Sequence, residues 1–194
     1  MPKTDFPKLS GVPYQLTSEE CEDFERRIEK KEKYKCIGSG SFANVYARKG
    51  ENQVLKIGNN PDDPWVRFAH KALVLYKTRP NPWLPVIHDI AFFEKEPIKG
   101  QRYGDTYYVA TMERLTRVPE TEFSDSKANY IATLTDNMDY RAAIHVLKAI
   151  GVDPLFIEAM KLVSKLCLHG YVDLHSGNIM MRGKQLVITD PLAI

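Results

Sequence analysis

The sequence predicts a compact α+β fold of two lobes, a strand-rich one followed by a mainly helical one. Three observations lead there: short β-type runs broken by glycine turns from residue 34, helical periodicity concentrated after residue 126, and one late strand pair. A chain of 194 residues suffices for one domain or two small lobes. Apolar residues at 43% and charged residues at 27% match a globular protein with a sizeable core, which excludes the disordered, collagenous and coiled-coil classes. With 27 Lys+Arg against 25 Asp+Glu, the net charge of +2 gives no electrostatic case for direct nucleic-acid binding, while a small phosphate-bearing ligand stays open. Cys21, Cys36 and Cys167 lack metal-type spacing, and the N-terminus has no apolar stretch of signal-peptide character. Nor does any run approach the roughly 18 apolar residues of a membrane span. A soluble protein of the reducing cytoplasm, with no membrane partner, is expected.

Residues 1–16, with Pro2, Pro7 and Pro13, read as an extended arm, and the charged run 17–34 as a surface helix opened by the capping-box pair Thr17 and Glu20. Three β-type runs follow at 34–37, 44–47 and 53–57, separated by Gly-Ser-Gly and by Lys49-Gly50-Glu51-Asn52, as in a small antiparallel meander. Asp63-Pro64 is a helix start, and Trp65, Phe68, Ala69, Ala72, Leu73 and Tyr76 recur at helical spacing until Pro80 and Pro82 end the pattern. Residues 86–93 and 106–115 read as two strands. Helices are expected over 126–134, 139–150 and 153–168, the last with an apolar stripe of Leu155, Ala159, Leu162, Val163 and Leu166. A hairpin of 178–181 and 186–189 about Arg182-Gly183-Lys184 closes the pattern.

Four stretches can carry chemistry. Gly38-Ser39-Gly40-Ser41-Phe42-Ala43-Asn44-Val45 lies between two strands, where paired glycines let a backbone turn tightly and approach a polyphosphate. Alone it reads first as a plain hairpin turn, since at a glycine usage of about 7% such a pair arises roughly once by chance in a chain of this size. The run after it is strand rather than helix, which disfavours a dinucleotide site. Lys56, within Val54-Leu55-Lys56-Ile57, is by itself an outward charge on a half-buried strand. After a glycine loop, its ammonium can neutralise phosphates. Asp173-Leu174-His175-Ser176-Gly177-Asn178-Ile179-Met180 sets a carboxylate and an amide at opposite ends of one loop, where one can orient a hydroxyl and the other bind Mg²⁺; an ordinary polar turn has the same composition. Ile188-Thr189-Asp190-Pro191 delivers an aspartate from a strand to a turn, although Asp-Pro is also a common turn starter.

The order of these stretches matches the protein kinase set. The chain resembles the early serine/threonine protein kinases of T-seven-like bacteriophages, compact members of the protein kinase-like fold, over residues 34–194. Carrying that resemblance are 38–46, 54–58, the Asp173-to-Met180 loop and Ile188-Thr189-Asp190-Pro191, with Asp190-Pro191-Leu192 where other kinases have Asp-Phe-Gly. With residues 1–33 as the arm and helix, it implies 34–115 as a kinase N-lobe with nucleotide-binding loop and hinge, and 116–194 as a minimal helical C-lobe with the catalytic loop but without the late C-lobe helices. It further implies ATP and Mg²⁺ as cofactors. Asp173 would be the catalytic aspartate, Lys56 the phosphate contact, and Asn178 and Asp190 the Mg²⁺ ligands. Gly38, Ser39, Gly40, Ser41, Phe42 and Val45 would cover the nucleotide, Met112 would be the gatekeeper, and Glu113 and Leu115 would bond adenine through the backbone. Host bacterial proteins, the transcription and translation machinery among the candidates, would be phosphorylated in the cytoplasm of the infected cell.

The chain departs from the family in three ways. No glutamate lies between Lys56 and Lys77 to pair with the lysine, and the nearest carboxylates, Asp62 and Asp63, belong to the helix start. Tyr171-Val172 replaces His-Arg before Asp173, so control by activation-loop phosphorylation is not expected. The chain ends soon after Asp190, so substrate docking is expected to use the arm and the helices over 126–150, unless the chain is truncated. Two other readings stay open: a small-molecule phosphotransferase of the aminoglycoside kinase type, and a pseudokinase that grips and inhibits a host factor. His70, His88 and His145 are scattered and read as packing or surface, His175 as a loop-holding group, and Trp65, Trp83, Phe92 and Phe93 as core.

Overall fold

A computed structural model describes residues 14–16, 33–58, 63–95, 106–119, 145–146, 148–149, 151–167, 171–174 and 176–193. Residues 17–32 of the expected helix 17–34 and the whole of the expected helix 126–134 lie outside them, as do Cys21, Asp62, His175 and most of the arm. Of the expected helix 139–150 only 145–146 and 148–149 are described, and they are helical. The chain is α+β and divides into two compact units, Met1–Asp62 with Ile87–Arg114 and Asp63–Val86 with Leu115–Ile194.

The first unit is built on a six-stranded sheet of β1 (Tyr14–Leu16), β2 (Lys35–Ser39), β3 (Ala43–Ala47), β4 (Gln53–Gly58), β5 (Ile87–Lys95) and β6 (Thr106–Glu113). Its order is β1-β5-β6-β4-β3-β2. The expected meander is its β2-β3-β4 half. The arm contributes an edge strand, because Tyr14–Leu16 pairs parallel to β5. Lys33 and Tyr34, expected at the end of the charged helix, are not helical, and Lys33 has a φ of 56°. Tyr34 is instead buried, with the Arg48 guanidinium 5.5 Å from its ring centroid and its hydroxyl directed at Glu51 Oε2. Arg48 pairs in turn with Glu51 across the β3–β4 turn.

Gly58 marks a close approach within this sheet. A Cβ there would lie 2.4 Å from two ring carbons of Tyr108, whose side chain is 0% exposed. Only a residue without a side chain fits over that ring.

The second unit holds two helices, α1 (Pro64–Thr78) and α2 (Pro154–Leu166). Each starts on an aspartate whose carboxylate accepts the N–H two residues on, Asp63 from Trp65 and Asp153 from Leu155, both at 2.9 Å, and each has proline in its first turn. Residues 63–86, which the sequence groups with the strands, thus belong to this unit: α1 packs on β11 (Leu192–Ala193) and α2. The buried face of α1 runs from Trp65 to Ala72, and Tyr76, expected in the stripe, is 47% exposed. On α2 the buried stripe is also rotated from the expected one. It consists of Phe156, Ile157, Ala159, Met160 and Val163, because the Phe156 ring packs edge-on against Trp83 at 4.7 Å and draws that side inward.

The late hairpin pairs β9 (Ile179–Arg182) with β10 (Gln185–Ile188) around Gly183-Lys184. Gly183 has φ 60° and Lys184 does not share the left-handed region, the pattern of a type II′ hairpin. Two-residue strands complete the unit: β7 (Thr116–Arg117) pairs with β9, and β8 (Tyr171–Val172) with β11. Such short strands have no sequence periodicity and went unread. Among the described residues no helix is long and apolar enough to cross a membrane. Gly58→Ala is expected to lower the unfolding free energy by about 1–3 kcal/mol through overpacking against Tyr108, read as a shifted urea midpoint at constant slope.

Candidate functional site

Lys56 sits on β4 at 7% exposure. Strand register places it opposite Val45 of β3 and Ala110 of β6, and extends the row to Gly38 of β2 and Ile90 of β5. Directly opposed residues of an antiparallel sheet share a face. One face therefore presents an ammonium within a row of Gly, Val, Ala and Ile. Two residues along, on the same face, Val54 is paired with Met112.

The β2–β3 hairpin closes on itself. Gly40 N donates to Ala43 O at 2.9 Å and Ser39 Oγ to Asn44 Oδ1 at 2.7 Å, leaving Ser41 and Phe42 exposed at the tip. The sequence assigns Gly38 and Gly40 to turning the chain, but neither adopts a left-handed φ. A Cβ on Gly38 would meet Val45 Cβ at 3.8 Å and one on Gly40 would meet Ala43 O at 3.6 Å, both ordinary contacts. The hairpin does not need these glycines for its own geometry. Their effect is a backbone uncovered by side chains at these two positions.

Met112 and Glu113 end β6. Arg114 N donates to Asn52 O at 2.8 Å, and its guanidinium reaches the carbonyls of Arg48 and Glu51. Because backbone polar groups alternate sides along a strand, those of Glu113 point away from β4. The chain passes from the first unit to the second between Arg114 and the buried Leu115.

The remaining predicted residues come together in the second unit. Pairing of Ile188 with Ile179 across the hairpin sets Thr189 beside Asn178. Thr189 N and Thr189 Oγ1 both donate to Asn178 O, at 2.8 and 2.9 Å. Pairing of Leu192 with Val172 sets Asp173 beside Pro191, and Asp173 N donates to Pro191 O at 2.8 Å. Asn178 Nδ2 then closes the ring, donating to Asp173 O at 2.7 Å and Asp173 Oδ2 at 3.1 Å. Asp190 lies between Thr189 and Pro191, both of which are tied into this junction. The hairpin is braced by Ile188 N donating to Trp83 O and by Arg182 donating to the carbonyls of Pro82 and Leu84.

Thr189 is the residue that reading the sequence missed. At 8% exposure it is one of three buried polar side chains among the described residues, and its signal was a hydroxyl between the apolar run Leu186-Val187-Ile188 and an aspartate. Chemically, the junction offers a carboxylate oriented by an amide, a second carboxylate on a restrained turn, and an amide oxygen on Asn178. His175 lies outside the described residues, and His70, His88 and His145 are exposed.

No protein-family model matches the chain, and no curated protein matches it either.

Asn178→Ala removes both bonds to Asp173 and is expected to cost about 1–3 kcal/mol of stability; Asn178→Asp, which sets a carboxylate against Asp173, is expected to cost more at neutral pH. Thr189→Val, which keeps the backbone bond, is expected to cost about 1 kcal/mol. Urea denaturation followed by circular dichroism measures all three.

Proposed function

We propose that this chain is an ATP- and Mg²⁺-dependent serine/threonine protein kinase of the protein kinase-like fold, acting on host bacterial proteins in the cytoplasm of a phage-infected cell. The observation that carries the reading is the junction in which Asn178 joins Asp173 to the segment bearing Asp190. A generic polar turn gives no reason for an Asp…Asn loop and a strand-delivered aspartate to meet; phosphoryl transfer does.

In this reading Asp173, oriented by the Asn178 amide, accepts a hydrogen bond from the substrate hydroxyl and takes its proton. The Asp190 carboxylate and Asn178 Oδ1 fit Mg²⁺, a hard cation that takes a few protein oxygens and fills its shell with water and phosphate oxygens. Bound there, the ion would offset charge on the transferring phosphoryl group. With Nδ2 donating to Asp173, the Oδ1 of Asn178 is the amide atom that would ligate the metal. In the first unit, Val45, Val54 and Met112 supply an apolar face suited to a planar base. Lys56 supplies a cation for phosphate, and the backbone of Glu113 supplies polar groups for the base edge.

The test incubates purified protein with γ-labelled ATP, Mg²⁺ and a bacterial lysate, and locates the label by mass spectrometry. Label on serine and threonine of lysate proteins is expected. Asp173→Asn is expected to lower transfer about 10²–10⁴-fold while the fold is retained. Lys56→Met is expected to raise the KM for ATP. Full transfer by Asp173→Asn would overturn the reading. So would label confined to small hydroxyl compounds, or no nucleotide binding by calorimetry alongside tight capture of a host protein.

A further inference from the structure

Asp190 is flanked by two residues whose backbone groups have assigned partners. On the far side, the proline ring fixes φ of Pro191 while its carbonyl accepts from Asp173 N. On the near side, Thr189 directs its N–H and hydroxyl to Asn178, and its own carbonyl accepts from the indole Nε1 of Trp65 at 2.9 Å, a buried bond across 124 positions. Trp65 is itself held. It is 0% exposed in the first turn of α1, its backbone N–H is capped by Asp63, and Pro64 precedes it.

We propose that Trp65 is a positioning residue for Asp190: its indole N–H fixes the Thr189 carbonyl and thereby the backbone direction from which the carboxylate is presented. The catalytic part of this inference rests on the kinase reading; the mechanical part does not. The Thr189–Asp190 peptide plane contains the Thr189 carbonyl, so holding that oxygen sets the orientation of the Asp190 N–Cα bond. Without the indole donor, a buried carbonyl loses its partner and the plane is free to rotate. The donor by which α1 reaches Thr189 is the neutral indole N–H of Trp65. A buried neutral bond is not screened by salt, so the coupling is expected to be the same at low and at high ionic strength.

The test compares the unaltered protein with Trp65→Phe, which keeps a ring and removes the donor, by hydrogen–deuterium exchange and by kinetics. Should Trp65→Phe fail to fold, benzothienylalanine at position 65, with sulfur in place of N–H, repeats the comparison at constant shape. The amides of Thr189 and Asp173 are expected to exchange about tenfold faster in the variant, while amides in the middle of α2 keep their rates. Transfer is expected to show a kcat about tenfold lower with the KM for ATP within about twofold, and a raised Mg²⁺ requirement. Unchanged exchange at Thr189 and Asp173 would overturn the proposal, as would acceleration spread evenly over the unit, the mark of a merely structural core residue. If the unaltered protein transfers no phosphate but the local exchange effect is present, the positioning of Asp190 by Trp65 stands and the kinase reading is what fails.

Discussion

Two strand ladders that share no residue, β9–β10 and β8–β11, are joined through the polar groups of Asn178. Its backbone oxygen accepts twice from Thr189 and its side-chain amide donates twice to Asp173. Each such bond is worth only about 0.5–1.5 kcal/mol net, but the alternative in a half-buried setting is an unpaired polar group, which costs more. The junction is therefore restrained as a set. Loosening one member releases the next, because Thr189 bonds both Asn178 and Trp65, and Asp173 bonds both Asn178 and Pro191.

The sheet of the first unit obeys a related constraint with charge in place of hydrogen-bond closure. Placing Lys56 at 7% exposure, in a row with Val45, Ala110 and Ile90, puts a cation where solvent compensates it poorly. The proposed kinase reading assigns this ammonium, and the β2–β3 glycine hairpin, to the phosphates of ATP. That hairpin is closed by its own backbone and side-chain bonds, without left-handed glycines. Gly38 and Gly40 are thus not required by the hairpin's own geometry.

Much of this was legible from residue patterns, for identifiable reasons. Asp-Pro at 63–64 and 153–154 marks both described helix starts, because a capping carboxylate and a proline in the first turn act within four residues. The turn at Gly183 was legible for the same local reason. The faces of the helices were less so. Leu155, Leu162 and Leu166 outrank Phe156 and Met160 as a leucine stripe on paper, yet Trp83, far away in sequence, selects the Phe156 side. Thr189 was read past because its importance depends on Asn178, which the hairpin register alone brings beside it.

What the sequence by itself determined is local: which runs alternate, where helices begin, where turns fall, and which side chains have the chemistry for phosphate, proton and metal. These follow from steric and hydrogen-bond preferences spanning a few residues. Only the tertiary structure decided that α1 belongs with the second unit, that β1 closes one edge of the sheet, and that Asn178 joins Asp173 to Thr189, the residue before Asp190. Those outcomes depend on pairings between two-residue strands and on a buried indole reaching a carbonyl 124 positions away. Such contacts form only when the surrounding core has removed water and fixed the chain on both sides, so no short window of sequence encodes them.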